Sequence, residues 1–221
     1  MFSANLCGVS MDAKYGLYLP EYSIPAAEVQ MDYKEIPFRD GAIDKTDIDG
    51  VVRYKDREWE LEFQKTGPDV SAYDLPSVTS VVSNDLHGRN GEIIFDDDSS
   101  WIWEGRVFVG EARCEDNGLI IVSIKLITRP YKRKVIGISK SVVLSGTSQV
   151  ISLVNGRKPI IPTLYVSDSA TLAFTIKGSS YTSTLGEGTW TVTDLVLFEG
   201  ITDVSVTGSG TLIIEYPELS L

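Results

Sequence analysis

The chain has 221 residues, 43% hydrophobic and 23% charged, with a formal net charge of -11. That apolar content is enough for a core and excludes wholesale disorder. The acidic balance excludes a tight grip on a duplex, which needs clustered Lys and Arg, so no sequence-specific nucleic-acid binding is expected. Cys7 and Cys114 stand far apart and in no zinc-ligand spacing, so the fold is expected not to rely on disulfides, with a bridge between them left open. Residues 1–10 lack the charged head and apolar stretch of a secretory signal. The most continuous apolar run, Leu119 to Val122, is too short to cross a bilayer, so synthesis in the cytoplasm and no membrane insertion are expected.

Short runs of Val, Ile, Thr and Tyr with frequent glycine favour strands. Gly16 to Leu19 is an apolar patch interrupted by Pro20. Glu28 to Ile36 reads as a strand ending at Pro37, and Phe38 to Gly50 as polar and turn-like. Val52 and Tyr54 then alternate with Arg53 and Lys55. After a turn near Asp56, Trp59, Leu61 and Phe63 alternate with Glu58, Glu60 and Glu62. The period of two predicts a hairpin with its aromatic face buried and its glutamates facing solvent or a partner. Asp74 to Gly88 reads as a helix: Leu75, Val78, Val82 and Leu86 form one stripe, Asp74 is placed to cap it, His87 lies in the last turn and Gly88 is a stop. Glu92 to Phe95 leads into Asp96, Asp97 and Asp98. Trp101 to Glu111 is a long strand, Asp116-Asn117-Gly118 a hairpin turn, and Leu119 to Ile127, apolar on both faces, a central or doubly covered strand.

Arg129 to Lys134 is a basic run that reads either as a link between two domains or as a charged edge strand. Beyond Val135 charges become sparse. Leu172, Phe174 and Ile176 alternate with Thr171, Ala173 and Thr175. Trp190 and Val192 alternate with threonines, which puts Trp190 on a buried face. Val204 and Val206 precede a turn at Gly208 to Gly210, followed by Leu212, Ile214 and Tyr216. Further turns fall at Asn155-Gly156 and Gly186 to Gly188. Short strands at this spacing imply a β-sandwich.

Little in the chain has the pattern of a reaction centre. His87 is the only histidine, at a helix end where an imidazole suits the terminal carbonyls. Asp47-Ile48-Asp49-Gly50 has part of a calcium-loop pattern, but Lys45 stands where the first carboxylate belongs and Asp56 where the last glutamate does. Asp96 to Asp98 would need a special loop to converge on a cation and otherwise make a solvated turn. Glu58, Glu60 and Glu62 have a glycosidase-like acid content, and also the ordinary pattern of a half-exposed strand. Trp59 falls on a buried face. Trp101 and Trp103 share a strand face and read as core or as an interface anchor. No phosphate loop, nucleophile elbow or activated thiol is present.

The order of the motifs carries a resemblance. Ile24-Pro25, Glu35-Ile36-Pro37, Arg39-Asp40-Gly41 and Ile43-Asp44 are followed by Gly50, Tyr54 and a strand ending at Phe63. His87-Gly88, Glu92 to Asp98 and Gly105-Arg106-Val107 come next. Gly188-Thr189-Trp190, Glu199-Gly200, Val204 to Gly210 and Thr211 to Tyr216 complete the series. In this order and spacing the chain resembles the distal tail proteins of long, non-contractile-tailed bacteriophages, phage- or prophage-encoded. One departure is Phe38, where the family often has glycine, so the turn there is expected to differ.

The resemblance implies a mainly-β chain: an N-terminal α+β ring-forming domain over 1–131, a β-sandwich with one helix, followed by a C-terminal galectin-like β-sandwich over 132–221. It implies a structural virion component at the distal end of the tail, a homo-hexameric ring joining the tail tube protein to the tail-tip or baseplate proteins used in host attachment. The implied partners are copies of itself, the tube protein, a tail-associated lysin or fibre protein, and receptor-binding proteins. No enzyme activity, cofactor, metal site or catalytic residue is implied. Within such a ring the Glu58, Glu60 and Glu62 face and the Arg129 to Lys134 run are expected to supply complementary charge, and the acidic balance suits a channel that DNA passes without sticking. Two other readings stand beside this one. The first is a carbohydrate-binding accessory module of the tail tip using Trp101, Trp103 or Trp190. The second is a host-wall hydrolase using Glu60 or Glu62.

Overall fold

The computed structural model describes residues 2–38, 40–67, 70–115 and 118–221, so Arg39 and the predicted turn residues Asp116 and Asn117 lie outside it. The chain is mainly β and divides into two compact units, Met1–Lys132 with Leu221, and Arg133–Ser220.

The N-terminal unit is built on an antiparallel sheet. Its strands lie in the order β5 (Arg57–Lys65), β8 (Ile120–Thr128), β7 (Trp101–Cys114), β6 (Asn90–Phe95), β1 (Ala4–Leu6) and β2 (Val9–Ser10). On β5, Trp59, Leu61 and Phe63 are buried and Glu58, Glu60 and Glu62 are exposed, as the period of two requires. The strand's partner differs from the expected one. β5 pairs with β8, setting Trp59, Leu61 and Phe63 against Leu126, Ile124 and Val122, while Val52–Lys55 forms no strand and contributes one bridge, Tyr54 to Val29. A nine-residue strand with a wholly apolar face buries far more against β8 than against a short mixed segment. β8 is central, paired on both edges and largely buried on both faces.

The strand expected over Glu28 to Ile36 shrinks to β3 (Tyr33–Glu35). Its partner β4 (Ala42–Asp44) lies inside the segment expected to be all turn. Helix α2 (Leu75–Leu86) packs Val82 and Leu86 into the core over β7. Its entry is capped one turn earlier than expected. Ser71 Oγ accepts from Tyr73 N–H at 3.1 Å and Asp74 Oδ2 accepts from Ser71 N–H at 3.0 Å, whereas Asp74 is already helical and makes no side-chain cap to α2. A one-turn helix, α1 (Met11–Tyr15), was not foreseen. Tyr15 O–H donates to Asp85 Oδ2 at 2.6 Å and Lys14 Nζ lies 2.7 Å from the same oxygen, tying α1 to α2.

Strand β9 (Lys132–Lys134) spans the division between the units. In the C-terminal unit, β10 (Ile138–Ser145) and β11 (Gln149–Asn155) run in succession along one edge of β16 (Gly200–Tyr216). β12 (Thr163–Val166) and β13 (Ser169–Ile176) run in succession along its other edge. β14 (Ser179–Leu185) pairs with β13 and β15 (Gly188–Thr191) with β12, and a short β17 (Leu219–Ser220) follows. The unit is thus one antiparallel sheet that folds over and closes on a single core. β10, β12, β15 and the end of β16 supply one layer, and β11, β13, β14 and the start of β16 the other. Tyr216 O–H donates to Val154 O at 2.9 Å and Lys140 Nζ to Ser152 O, linking the layers.

Gly208 to Gly210 is therefore no turn: β16 runs straight through it, keeping one register with β12 and β13 from Glu215↔Thr163 to Val204↔Phe174. The glycines let the strand bend. Gly208 has φ +147°, and a Cβ there would lie 2.1 Å from Ser169 O. Gly208→Ala is expected to destabilise the C-terminal unit by about 3 kcal/mol or more, while Gly186→Ala, with open space around it, changes stability by less than about 0.5 kcal/mol. Chemical denaturation read at Trp190, the tryptophan of this unit, checks both; equal stabilities would refute the bend as the constraint.

In the N-terminal unit, the hydrogen bonds from Lys14 and then Tyr15 hold the Asp85 carboxyl below the ordinary carboxylate value. A depressed carboxyl stabilises the fold above its unfolded pKa, near 4, and that contribution is lost as pH falls through the lower folded value. Asp85→Asn should accordingly flatten the fall in Tm below about pH 4, measured by thermal scans from neutral to acid pH. Parallel acid limbs in the two proteins would count against the assignment.

Candidate interaction surface

The residues singled out for chemistry are occupied structurally. His87 is the C-cap of α2; Val109 N–H donates to its Nδ1 at 3.2 Å and its ring meets Phe108 edge-on. Asp97 accepts from Tyr22 O–H at 2.8 Å, and Asp98 pairs with Lys132 at 2.6 Å. In the calcium-like segment, Asp49 pairs with Arg53 and Asp44 accepts from Thr46 N–H. No group of side chains suited to a metal ion occurs among the described residues. Cys7 and Cys114 are free thiols, and burial pushes the Cys7 thiol up from its ordinary value. Among the described residues no helix is long and apolar enough to cross a membrane.

The two charged surfaces expected to complement each other already carry ion pairs within the chain. Glu58 pairs with Lys125 at 2.6 Å, Glu62 with Arg113 at 2.9 Å, and Glu60 accepts from Ser123 O–H. In the basic run, Arg129 pairs with Glu104 and Lys134 with Glu218. Trp59 and Trp103 are core residues that meet edge to face at 5.3 Å, and Trp101 is half-buried beneath Lys132 Nζ. Trp190, expected on a buried face, is 41% exposed: β15 is an edge strand, and its indole N–H donates to Gly186 O at 2.9 Å.

What stands out is a segment that joins no core. Between Pro25 and Arg57 the chain leaves the sheet as an arm closed at its root. The buried Arg57 guanidinium donates to Pro25 O at 2.7 Å and to Pro130 O at 3.0 Å, and lies 4.9 Å from the Trp103 ring centroid. Above it Gln30 N–H donates to Arg53 O and Lys55 N–H to Glu28 O, both at 2.8 Å. The ribbon of β3 and β4 continues outward. Met31 (62%), Tyr33 (55%), Ile48 (76%) and Phe38 (110%) are all exposed on it. Phe38 also takes φ +65°, so the glycine-like turn is kept at this position rather than replaced. Left-handed backbone costs an ordinary residue roughly 1–2 kcal/mol, which a large exposed side chain does not recover within this chain. The sequence reading missed the arm. Its signal is a set of apolar residues, Met31, Tyr33, Ile36, Phe38, Ile43 and Ile48, whose spacing fits neither a helix nor a strand period.

The class this geometry defines is a mainly-β building block of two units, with an apolar arm and, among its described residues, no assembled reaction centre. No protein-family model matches the sequence, and no curated protein matches it. Among solved structures the chain is similar to the SPP1 Dit (gp 19.1) protein, described as a paradigm of the hub adsorption apparatus in phages that infect Gram-positive bacteria. The TM-score is 0.71 over 100% of both chains at 16% identity. The phage P2 baseplate in its activated conformation with Ca gives a TM-score of 0.39 at 8% identity, over 99% of this chain and 98% of that one. The chain thus has the fold of a phage distal tail protein throughout its length.

Burial pulls the Arg57 guanidinium down from its ordinary value, and its partners are carbonyls and a ring. Arg57→Leu leaves those carbonyls without their donor and should cost about 2–3 kcal/mol of N-terminal-unit stability. It should also open the arm root, read as faster limited tryptic cleavage after Lys34 or Arg53. Unchanged cleavage rates would show that Arg57 does not hold the root.

Proposed function

We propose that this chain is a structural virion protein, a distal tail protein whose N-terminal unit assembles with copies of itself into a hexameric ring. The ring joins the tail tube to the tail-tip proteins used in host attachment, at the distal end of the tail, and its role is non-catalytic. The observation that carries the reading is the arm. Met31, Tyr33, Phe38 and Ile48 stand largely uncovered among the described residues, and an exposed apolar stretch of this kind marks a protein-binding surface. A two-stranded ribbon of three residues per strand is marginal alone and gains from a neighbouring sheet. An arm that docks on a different surface of the next copy makes a heterologous contact, the kind that closes into a ring. The likeness in fold to a phage hub protein over both full chains supports the same role.

The full chain, examined by native mass spectrometry and negative-stain microscopy, should form six-fold rings. Tyr33→Asp combined with Met31→Asp should abolish the rings and leave the folded monomer intact. Phe38→Gly should raise monomer stability by about 1 kcal/mol, by relieving the left-handed backbone, while weakening the ring. A chain that stays monomeric both alone and when mixed with its tail tube protein, or rings that tolerate the double substitution, would overturn the reading.

A further inference from the structure

The outer face of the C-terminal unit carries a feature that the ring reading does not use. Ser139, Glu215 and Thr163 are direct partners across three adjacent strands: Ser139↔Glu215 between β10 and β16, and Glu215↔Thr163 between β16 and β12. Their side chains share one face, spaced by the ordinary inter-strand distance of about 4.8 Å. Thr191, the partner of Thr163 on β15, continues the row. Two residues along β12 from Thr163 stands Tyr165, 38% exposed on the same face.

A polar row on an exposed sheet face is by itself only a solvated surface. Here it forms one wall of a cleft of about 430 Å³, whose lining includes Tyr165, Thr163 and Glu215 together with Val135, Ile136 and the cations Arg133 and Lys134. Val135 (49%) and Ile136 (79%) expose apolar surface there. The volume falls in the range that small-molecule sites occupy. Ser139 O–H donates to Glu215 Oε1 at 3.1 Å, which orients the carboxylate and leaves its other oxygen to accept.

We infer that this cleft is a binding site for a saccharide, one or two pyranose rings. Three chemical properties of the cleft select that class. An aromatic face with aliphatic neighbours suits the apolar C–H face of a pyranose. A carboxylate accepts hydrogen bonds from sugar hydroxyls, and adjacent threonine and serine hydroxyls both donate and accept. A peptide that adds to the sheet would use a strand edge, such as that of β10 or β15, whereas these groups stand on the sheet face. Arg133 and Lys134 in the same lining balance Glu215, so the groups that choose the ligand are the ring and the hydroxyls rather than net charge. Of the tryptophans considered from sequence, Trp101 and Trp103 belong to the N-terminal unit and Trp190 does not line the cleft.

The inference does not depend on ring formation, because every group in it belongs to residues 133–220. Saturation-transfer NMR on the full chain with glucose, galactose, N-acetylglucosamine and rhamnose, and their simple disaccharides, tests it. The expected result is transfer to at least one sugar. Tyr165→Ala should lower that affinity by about tenfold or more and Glu215→Gln by several-fold, while Trp190→Ala leaves it unchanged. Both key substitutions are at exposed positions, and amide spectra verify that each variant is folded. No transfer from any sugar at ten-millimolar concentration, or transfer that survives Tyr165→Ala in the folded variant, would overturn the inference. Ring formation, read on the same samples by mass, separates this failure from failure of the hub reading.

Discussion

The N-terminal unit depends on one buried guanidinium. Arg57 opens β5, and it binds the carbonyl of Pro25, where the arm leaves, and that of Pro130, near the end of the unit. A bare buried charge is costly, and here the cost is offset by carbonyl acceptors and by the face of Trp103. Arginine suits the place because its planar fork serves several acceptors at once; a lysine would reach only as a point charge. Trp103 in turn meets Trp59, and Tyr22 stacks on Phe95 at 4.5 Å, so the arm root is continuous with the densest part of the core. This explains how an arm with little cover of its own is still carried in a definite place.

The C-terminal unit obeys a different constraint. A folded-over sheet must bend every strand near the same level. Gly208 solves the problem on β16, where a side chain would strike the Ser169 carbonyl. Interruptions at Gly146, at Ser167 and Asp168, and at Gly186 and Glu187 serve the neighbouring strands. One face then stays inward along the whole of β16, which is why Val204, Val206, Leu212, Ile214 and Tyr216 all enter one core.

That same bend marks the limit of what the sequence shows. The alternation of Val204, Val206, Leu212 and Ile214 is legible, and so are the buried face of β5 and the stripe of α2, because each is a local period. Glycine density at 208–210 has the same local signature whether the chain reverses or merely kinks, and only the partner strands decide. Strand partners are non-local in just this way, so Arg57 to Lys65 was legible as a strand but not as the neighbour of β8. Trp190 was misplaced because period alone does not reveal that β15 lies at an edge. The arm was illegible for a further reason: apolar residues that do not pack into their own chain's core need not show the period of any element in it.

The distribution of charge sharpens what kind of contact the arm can make. On β5 the glutamates have the look of an assembly surface, but Lys125, Arg113 and Ser123 on neighbouring strands already engage them, and Glu104 and Glu218 do the same for the basic run. Exposed pairs of this sort contribute little to stability, yet they remove the unpaired charge that a partner would recognise. The arm has the opposite character. Its own acids are used locally, as when Asp49 holds Arg53 and Glu28 holds Lys55, and its large apolar side chains are left outward. Specificity at such a contact comes from shape and register, with charge excluding wrong partners rather than drawing in the right one. A chain of net charge -11 repels its own copies at long range, so an assembly of identical subunits needs a short-range apolar contact strong enough to overcome that repulsion. In the proposed ring, the exposed Met31, Tyr33, Phe38 and Ile48 would supply it.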